Sequence, residues 1–436
     1  MKPLQMPMFS PETEWIPPTH LPDLKDHKEI AIDLETRDPG LKSSGSGSVN
    51  GNGEVVGIAV AVEGWSGYFP IAHEGGGNMD RALVLDWFEE VLHTDATKIF
   101  HNAMYDVSWI RSMGFYIRGG VIDTLIAASL IDENRWGYAL NALGKQYVGV
   151  GKNEKILNDA AKSWGIDPKA DMWRLPAPLV GEYAEQDAVL TLRLWHALQR
   201  EISSQDLWDV FNLETNLFPC LIDMKFKGVR VDAEKANLLK QELIKEEKNI
   251  YRGIRKLIGF DVEIWAAASI AKAFDEVKLP YDRTEKGAPS FTKNFLATHP
   301  HELPKAIANA REINKAHTTF IDTIIKHEHN GRIHADINQI RSDDGGTVTG
   351  RFSYSNPNLQ QIPARNKDLG PKIRALFIPE KNHTWGCFDY SQQEPRIVVH
   401  FASLLKLEGS QTIVDQYNAG EADFHQMIAD MAGIER

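Results

Sequence analysis

The chain has 436 residues, a formal net charge of −12, 42% hydrophobic and 25% charged residues. That is the balance of ordinary soluble globular chains, with length for two to four domains. No uncharged apolar run reaches the ~18–20 residues of a membrane-spanning helix, and MKPLQMPMFSPETEWIPP lacks the apolar core of a signal peptide, so a membrane partner is excluded. Two cysteines, Cys220 and Cys387, lie far apart in apolar settings and read as buried thiols of a reducing compartment rather than a disulfide. The expected location is the cytoplasm, of a host cell if the chain is phage-encoded.

Residues 1–25 read as an irregular lead-in rich in proline and acid. HKEIAIDLET alternates as a strand does and ends in acids. GLKSSGSGSVNGNGE is a flexible loop by composition. EVVGIAVAVEGWSGYFPIAH follows as two strands turning at Glu63–Gly64; then come a helix (ALVLDWFEEVLH), a short strand (KIFHN) and a second helix (AMYDVSWIRSM). GEYAEQDAVLTLRLWHALQREI closes the region as a long helix with an apolar stripe. Strands followed by helices predict a mixed α/β domain over 26–204.

Residues 205–335 begin with a helix and a glycine-marked bend in DLWDVFNLETNLFPCLIDMKFKGVRVD. Segments 233–257 and 303–329 have helical period and many charges, with the looser DRTEKGAPSF between them. They suggest an arm with a flexible tip rather than a compact core. Strands return in RIHADINQI, ALFIPE and TWGCFDY, so 336–436 reads as an α+β segment. There is no internal repeat of fixed period.

Chemistry concentrates first in four carboxylates. Asp33 and Glu35 form a D-x-E pair at a strand end, where alternation puts both side chains on one face, as a divalent ion requires of two oxygen ligands. Alone the pair means little. Asp106, in NAMYD, is by itself a first-turn helix acid favoured by the dipole. Tyr183 and Asp187 are one helical turn apart, on a face that continues through Leu190 and Leu194. A carboxylate on that apolar side needs an ion or a cationic partner such as a neighbouring Lys or Arg.

Taken in order, D-x-E at a strand end, N-x-x-x-D after a later strand and Y-x-x-x-D on a closing helix resemble the DEDD 3′→5′ exonucleases, in the subtype with tyrosine in the third motif. Asp123 in VIDT also fits that pattern. The resemblance implies a ribonuclease H-like fold, a mixed sheet flanked by helices. It also implies two Mg²⁺ ions (Mn²⁺ as substitute) held by Asp33, Glu35, Asp106 and Asp187, with Tyr183 orienting the attacking water.

A second constellation occupies 341–396. Within 341–374, Arg341, Arg351, Arg365, Lys367, Lys372 and Arg374 stand against Asp343, Asp344 and Asp368, six minus three, a local +3 within an acidic protein. In VTGRFSYSNPNLQQIPAR, Pro357 and Pro363 fix the backbone around amide side chains, any one of which alone would read as a loop-packing residue. The whole string resembles family A DNA polymerases, the class of bacterial DNA polymerase I and many phage replicases. By that resemblance Arg351 reads minor-groove acceptors near the primer end, nearly independent of sequence, and Asn358, Gln360 and Arg365 hold the primer-template duplex.

GCFDYSQQEPRIVVHFA is similar to the family's motif A. Asp389 would end a strand and bridge the catalytic metals, and Glu394 would crowd the sugar 2′ position of an incoming dNTP. Ser391 to Glu394 is also a capping-box pattern, with Pro395 suited to the first helical turn. Gln393 and Pro395 depart from the aliphatic residue and leucine common there. ADFHQMIADMAG matches the next block, with His425 approaching the triphosphate.

The implied architecture is an exonuclease domain (26–204), a connecting helix with a helical thumb (205–335), and a partial α+β palm with the start of the fingers (336–436). The implied function is a DNA-directed DNA polymerase with a proofreading exonuclease. The nucleotide-binding helix and final acidic motif of the family would follow residue 436, so a second polypeptide completing the polymerase site is an expected partner. The alternatives are a stand-alone 3′→5′ exonuclease using a polymerase remnant as a DNA clamp, and a non-catalytic DNA-binding subunit of a split polymerase. Intact Asp33, Glu35, Asp106 and Asp187 weigh against the last.

Overall fold

The computed structural model describes residues 11–343, 345–364 and 366–435. They divide between Ile378 and Pro379 into two compact units.

The first unit opens with a five-stranded sheet. Its strands are β1 (Glu29–Arg37), β2 (Glu54–Val62), β3 (Trp65–Pro70), β4 (Thr97–Phe100) and β5 (Val121–Asp123), in the order β3-β2-β1-β4-β5. β1 is antiparallel to β2 and parallel to β4, which pairs in parallel with β5. The period of two in β1 sorts its side chains between two cores. Ile30, Ile32 and Leu34 pack with Phe69, Phe88 and Phe100. Ala31 points the other way, beneath the helix Pro178–Ser204, with Tyr183, Ala184 and Leu194. Asp33 and Glu35 share the parity of Ala31, so they project toward that helix.

The lead-in has no regular structure over 11–28, yet it is packed: Trp15 Nε1 donates to Glu185 Oε1 at 2.9 Å. The glycine- and serine-rich segment is ordered, contrary to its composition. It folds into two helical turns, Leu41–Ser44 and Gly47–Asn50. Asp38 anchors it by accepting from Gly47 N at 3.0 Å and Ser46 Oγ at 3.4 Å. A half-buried acceptor that takes an orphan N–H of the second turn and the hydroxyl before it decides the matter, not residue flexibility.

The helix Trp208–Lys227 leads through Gly228 to the arm, built on Ala233–Ile258 against Glu302–Lys315. The arm's tip has its own core of Phe274, Phe291, Leu296, Leu303 and Ile307, so the loose tip expected from DRTEKGAPSF is a β-hairpin on a packed cap. Apart from Phe291, the hydrophobic residues that build it come from outside that stretch. RIHADINQI is split: Arg332–Ile333 pairs with Val229–Arg230 and Glu328–His329, whereas Asp336–Asn338 pairs with Ser353–Ser355. ALFIPE makes only an isolated bridge, Phe377 with Val231.

The second unit contains three helices, Gln393–Leu404, Ser410–Ala419 and Phe424–Ala432. No strand forms in it among the described residues, so TWGCFDY is extended coil, with Phe388 98% and Tyr390 80% exposed. A strand needs a neighbour for its backbone groups, and among the described residues the second unit offers none. Both cysteines are exposed rather than buried. Cys220 falls on the outward side of a helix whose Phe218, Leu221 and Ile222 face inward. Cys387 lies in the coil.

Candidate functional site

The carboxylates of Asp33, Glu35 and Asp187 each offer an oxygen, and these oxygens lie within 4.8 Å of one another. They line a cleft of about 720 Å³ that is also lined by the segment Asp336–Ile340. Pairing with β4 ends at Ala31, so the backbone beyond it is open on that edge. Leu34 N is taken instead by Asp106 Oδ1 at 3.1 Å. Asp106 therefore stands beside the trio, in the first turn of the helix Ala103–Ser112.

Opposite Glu35 in the β1–β2 register is Gly57. A Cβ there would run into the Tyr68 ring, so glycine is required for the close approach. Tyr68 Oη pairs with His73 Nε2 at 2.6 Å, and His73 Nδ1 meets Leu175 O at 3.0 Å. With Nδ1 donating to the carbonyl, Nε2 accepts from the tyrosine. Burial pulls His73 down to about 4.

Asp123 braces the site from behind. Its carboxylate caps the helix Thr124–Ile131 through Leu125 N (2.9 Å) and accepts from Asn102 N (2.9 Å) and Ala103 N (2.8 Å). These bonds hold Asn102 at φ 72° where the Asp106 helix begins. Burial raises Asp123 to about 6, against those N–H groups.

Electrostatically the cluster is a concentration of negative charge removed from water. Asp33, half-buried as a residue, is raised to about 7, by burial first and then by Asp187. Glu35 is raised well above the usual carboxylate range by burial, then by Asp33 and Asp187. Asp106 follows for the same reasons, burial and then Asp33. For Asp187, burial raises the carboxyl and Lys152 opposes it. Lys152 Nζ donates to Asp187 Oδ2 at 2.5 Å and to Tyr183 Oη at 3.3 Å. Asp187 Oδ1 is buried without a hydrogen-bond partner.

Sequence reasoning left Asp187 to an ion or a cation, and a cation is in place. It did not find which: nothing in GVGKNEK distinguishes Lys152. An orphaned buried oxygen beside two further carboxylate oxygens suits a hard divalent cation, so the donor set fits the expected ions.

Of the residues expected to hold the duplex, Arg351, Asn358 and Gln360 lie on the surface. Asn358 caps the turn Leu359–Gln361, accepting from Gln360 N at 3.0 Å, and Gln360 Nε2 donates to Phe352 O at 2.9 Å. Both amides thus order the loop that presents exposed Arg351. Arg365 lies outside the described residues. In the second unit Asp389 sits on exposed coil rather than at a strand end. Ser391 does not cap the following helix. Gln392 takes that position with φ 53° and no side-chain cap bond, because its amide is used elsewhere: Oε1 accepts from Phe424 N at 2.8 Å and Tyr417 Oη at 3.3 Å. Pro395 falls in the first turn as expected. Gln392 thereby draws together the starts of two helices, whose first turns carry Glu394 and His425.

Two family models match the chain: 3′-5′ exonuclease over residues 19–203 and DNA polymerase family A over 233–434. The chain is 37% identical to a DNA-directed DNA polymerase of Pseudomonas phage M6, over 99% of this chain and 69% of that one. It is 31% identical to DNA polymerase DpoZ of Salmonella phage PMBT28, over 95% and 67%. It is 29% identical to DNA polymerase I of Pseudomonas aeruginosa, over 95% and 46%. Among solved structures, the POL domain of Pol1 from M. smegmatis, in complex with DNA primer-template and dNTP, superposes with a TM-score of 0.69 at 20% identity, over 94% of this chain and 65% of that one. With phage relatives matched over nearly its whole length, the chain belongs to the DNA polymerase A family and carries that family's 3′-5′ exonuclease domain.

Proposed function

We propose that the cleft beneath the helix Pro178–Ser204 removes nucleotides from the 3′ end of single-stranded DNA, with Asp33, Glu35, Asp106 and Asp187 holding two divalent cations. The observation that carries this reading is the convergence of Asp33, Glu35 and Asp187 oxygens within 4.8 Å, with Asp187 Oδ1 left unpartnered. Bound Mg²⁺ or Mn²⁺ would supply a water activated at neutral pH and charge stabilisation for the departing 3′ oxygen. The chain's own part is positional. Leu34 N fixes Asp106, the paired strand fixes Asp33 and Glu35, and Tyr183 one turn from Asp187 orients the water. No protein nucleophile is needed.

The same reading assigns Arg351, Asn358, Gln360 and Arg365 to the primer-template, and Asp389, Glu394 and His425 to the metal and dNTP side of nucleotide addition. It places the protein in the cytoplasm of a host cell. A further partner is polypeptide that covers the second unit, where Val398, Phe401, Leu404 and Leu405 are 59–72% exposed. Surface of that kind marks an interaction site.

The test is cleavage of a 5′-labelled single strand by the purified chain with Mg²⁺. The parent should shorten the strand from its 3′ end, and chelation should stop it. Asp33→Ala with Glu35→Ala should remove the activity while the circular dichroism stays that of the parent. A double variant as active as the parent would sink the assignment.

A further inference from the structure

Lys152 lies on the loop between the turn Gly144–Val148 and the helix Lys155–Trp164. The loop is clamped rather than loose. Gln186, the neighbour of Asp187 on the long helix, accepts from Asn153 N at 2.5 Å and donates to Gly151 O at 3.2 Å. Asn141 Oδ1 accepts from Lys152 N at 3.0 Å. A Cβ at Gly151 would meet Asn141 Oδ1, the acceptor of Lys152 N, at 2.5 Å, so a larger residue there would have to displace that hydrogen bond. This scaffold delivers an ammonium group, on a side chain 14% exposed, onto a carboxylate 4% exposed. The ammonium also lies 5.1 Å from the Tyr183 ring centroid, a cation–π distance.

Three carboxylates within ligand distance of one another repel strongly in a buried setting. A single Lys cannot neutralise them, but it occupies the Asp187 Oδ2 lone pairs that face it while Oδ1 stays open. We infer that Lys152 is a built-in counter-cation: it holds Asp187 and Tyr183 in place when the cluster carries no divalent ion, and it competes with such an ion for Asp187. This rests on the metal reading proposed above. The device keeps the empty cluster folded at the expense of metal affinity. An ion entering the Asp187 side must overcome both the ammonium's contact and its charge.

The experiment is calorimetric titration of the full metal-free chain with Mn²⁺. It compares the parent, Lys152→Met, Lys152→Gln and Lys152→Arg, with Asp33→Asn plus Glu35→Gln as the blank for ions bound elsewhere. A unit charge removed from a few ångströms away shifts cation affinity by about tenfold or more. Lys152→Met and Lys152→Gln should therefore bind cluster Mn²⁺ at least that much more tightly, and Lys152→Arg should resemble the parent. The metal-free melting temperature of Lys152→Met should fall, and Mn²⁺ should raise it by more than it raises the parent's. A merely structural lysine would lower the melting temperature without tightening Mn²⁺ binding. Unchanged or weaker Mn²⁺ binding by both Lys152→Met and Lys152→Gln overturns the counter-cation role while leaving the metal site standing. If Met fails to fold, Gln, which keeps a donor toward Asp187, decides alone. Binding by the parent no greater than the blank overturns the metal reading and the inference together.

Discussion

Replacing Asp123 tests whether the site is held from behind. Its carboxylate is 7% exposed as a residue and accepts from three backbone N–H groups, at 2.8–2.9 Å. Asp123→Ala strands all three. Each buried donor left without an acceptor costs about 1–3 kcal/mol, which puts the ceiling near ~9 kcal/mol. Water can enter the vacated volume, so the lower end applies, about 3–4 kcal/mol. Asp123→Asn keeps one oxygen. Oδ1 serves both Asn102 N and Leu125 N, so the amide NH₂ is left facing Ala103 N, donor against donor. That should cost about 1–3 kcal/mol. The assay is urea denaturation of the full chain at neutral pH, followed by tryptophan fluorescence, alongside cleavage of labelled single strands. Both variants should lose cleavage beyond what their unfolded fraction explains, because Asn102 begins the helix that carries Asp106. Asp123→Asn as stable and as active as the parent would refute the brace and mark the buried charge as the larger effect.

His73, pulled down to about 4 by burial, should stay neutral in a pH titration followed by NMR long after an exposed ring has protonated. Its folded value lies below the unfolded one, so its stabilisation is complete above pH ~6.5 and is lost as pH falls toward 4, a change of about 3 kcal/mol at most. A titration midpoint near 6.5 would show that the Tyr68–His73 pair is solvated. Arg351→Ala should weaken primer-template binding about equally for all terminal base pairs, measured by anisotropy at fixed salt, since minor-groove acceptors barely distinguish them. Loss confined to particular pairs would assign Arg351 a different role. Cys220 and Cys387 should both react with a thiol reagent without denaturant, and a thiol that reacts only after unfolding would contradict the exposure found for it.

Local pattern determined much of this protein. Alternation in EIAIDLETR placed Asp33 and Glu35 on one face, and the spacing of Tyr183 and Asp187 placed them one turn apart on the long helix. Such relations depend only on the period of the element, which neighbouring residues set. Several features depended instead on what arrives from far along the chain. The glycine-rich segment is ordered because Asp38 reaches Gly47, and the arm's tip is packed because Phe274 and Leu303 meet there. TWGCFDY has strand-like residues, but among the described residues the second unit has no strand to pair with it, so Asp389 rests on coil. Lys152 had no signature at all. Its role follows from the Gln186 clamp that sets it against Asp187, a contact 35 residues away in sequence. Period is written locally, whereas partnership in a buried charge cluster exists only once tertiary packing has removed the alternative partner, water.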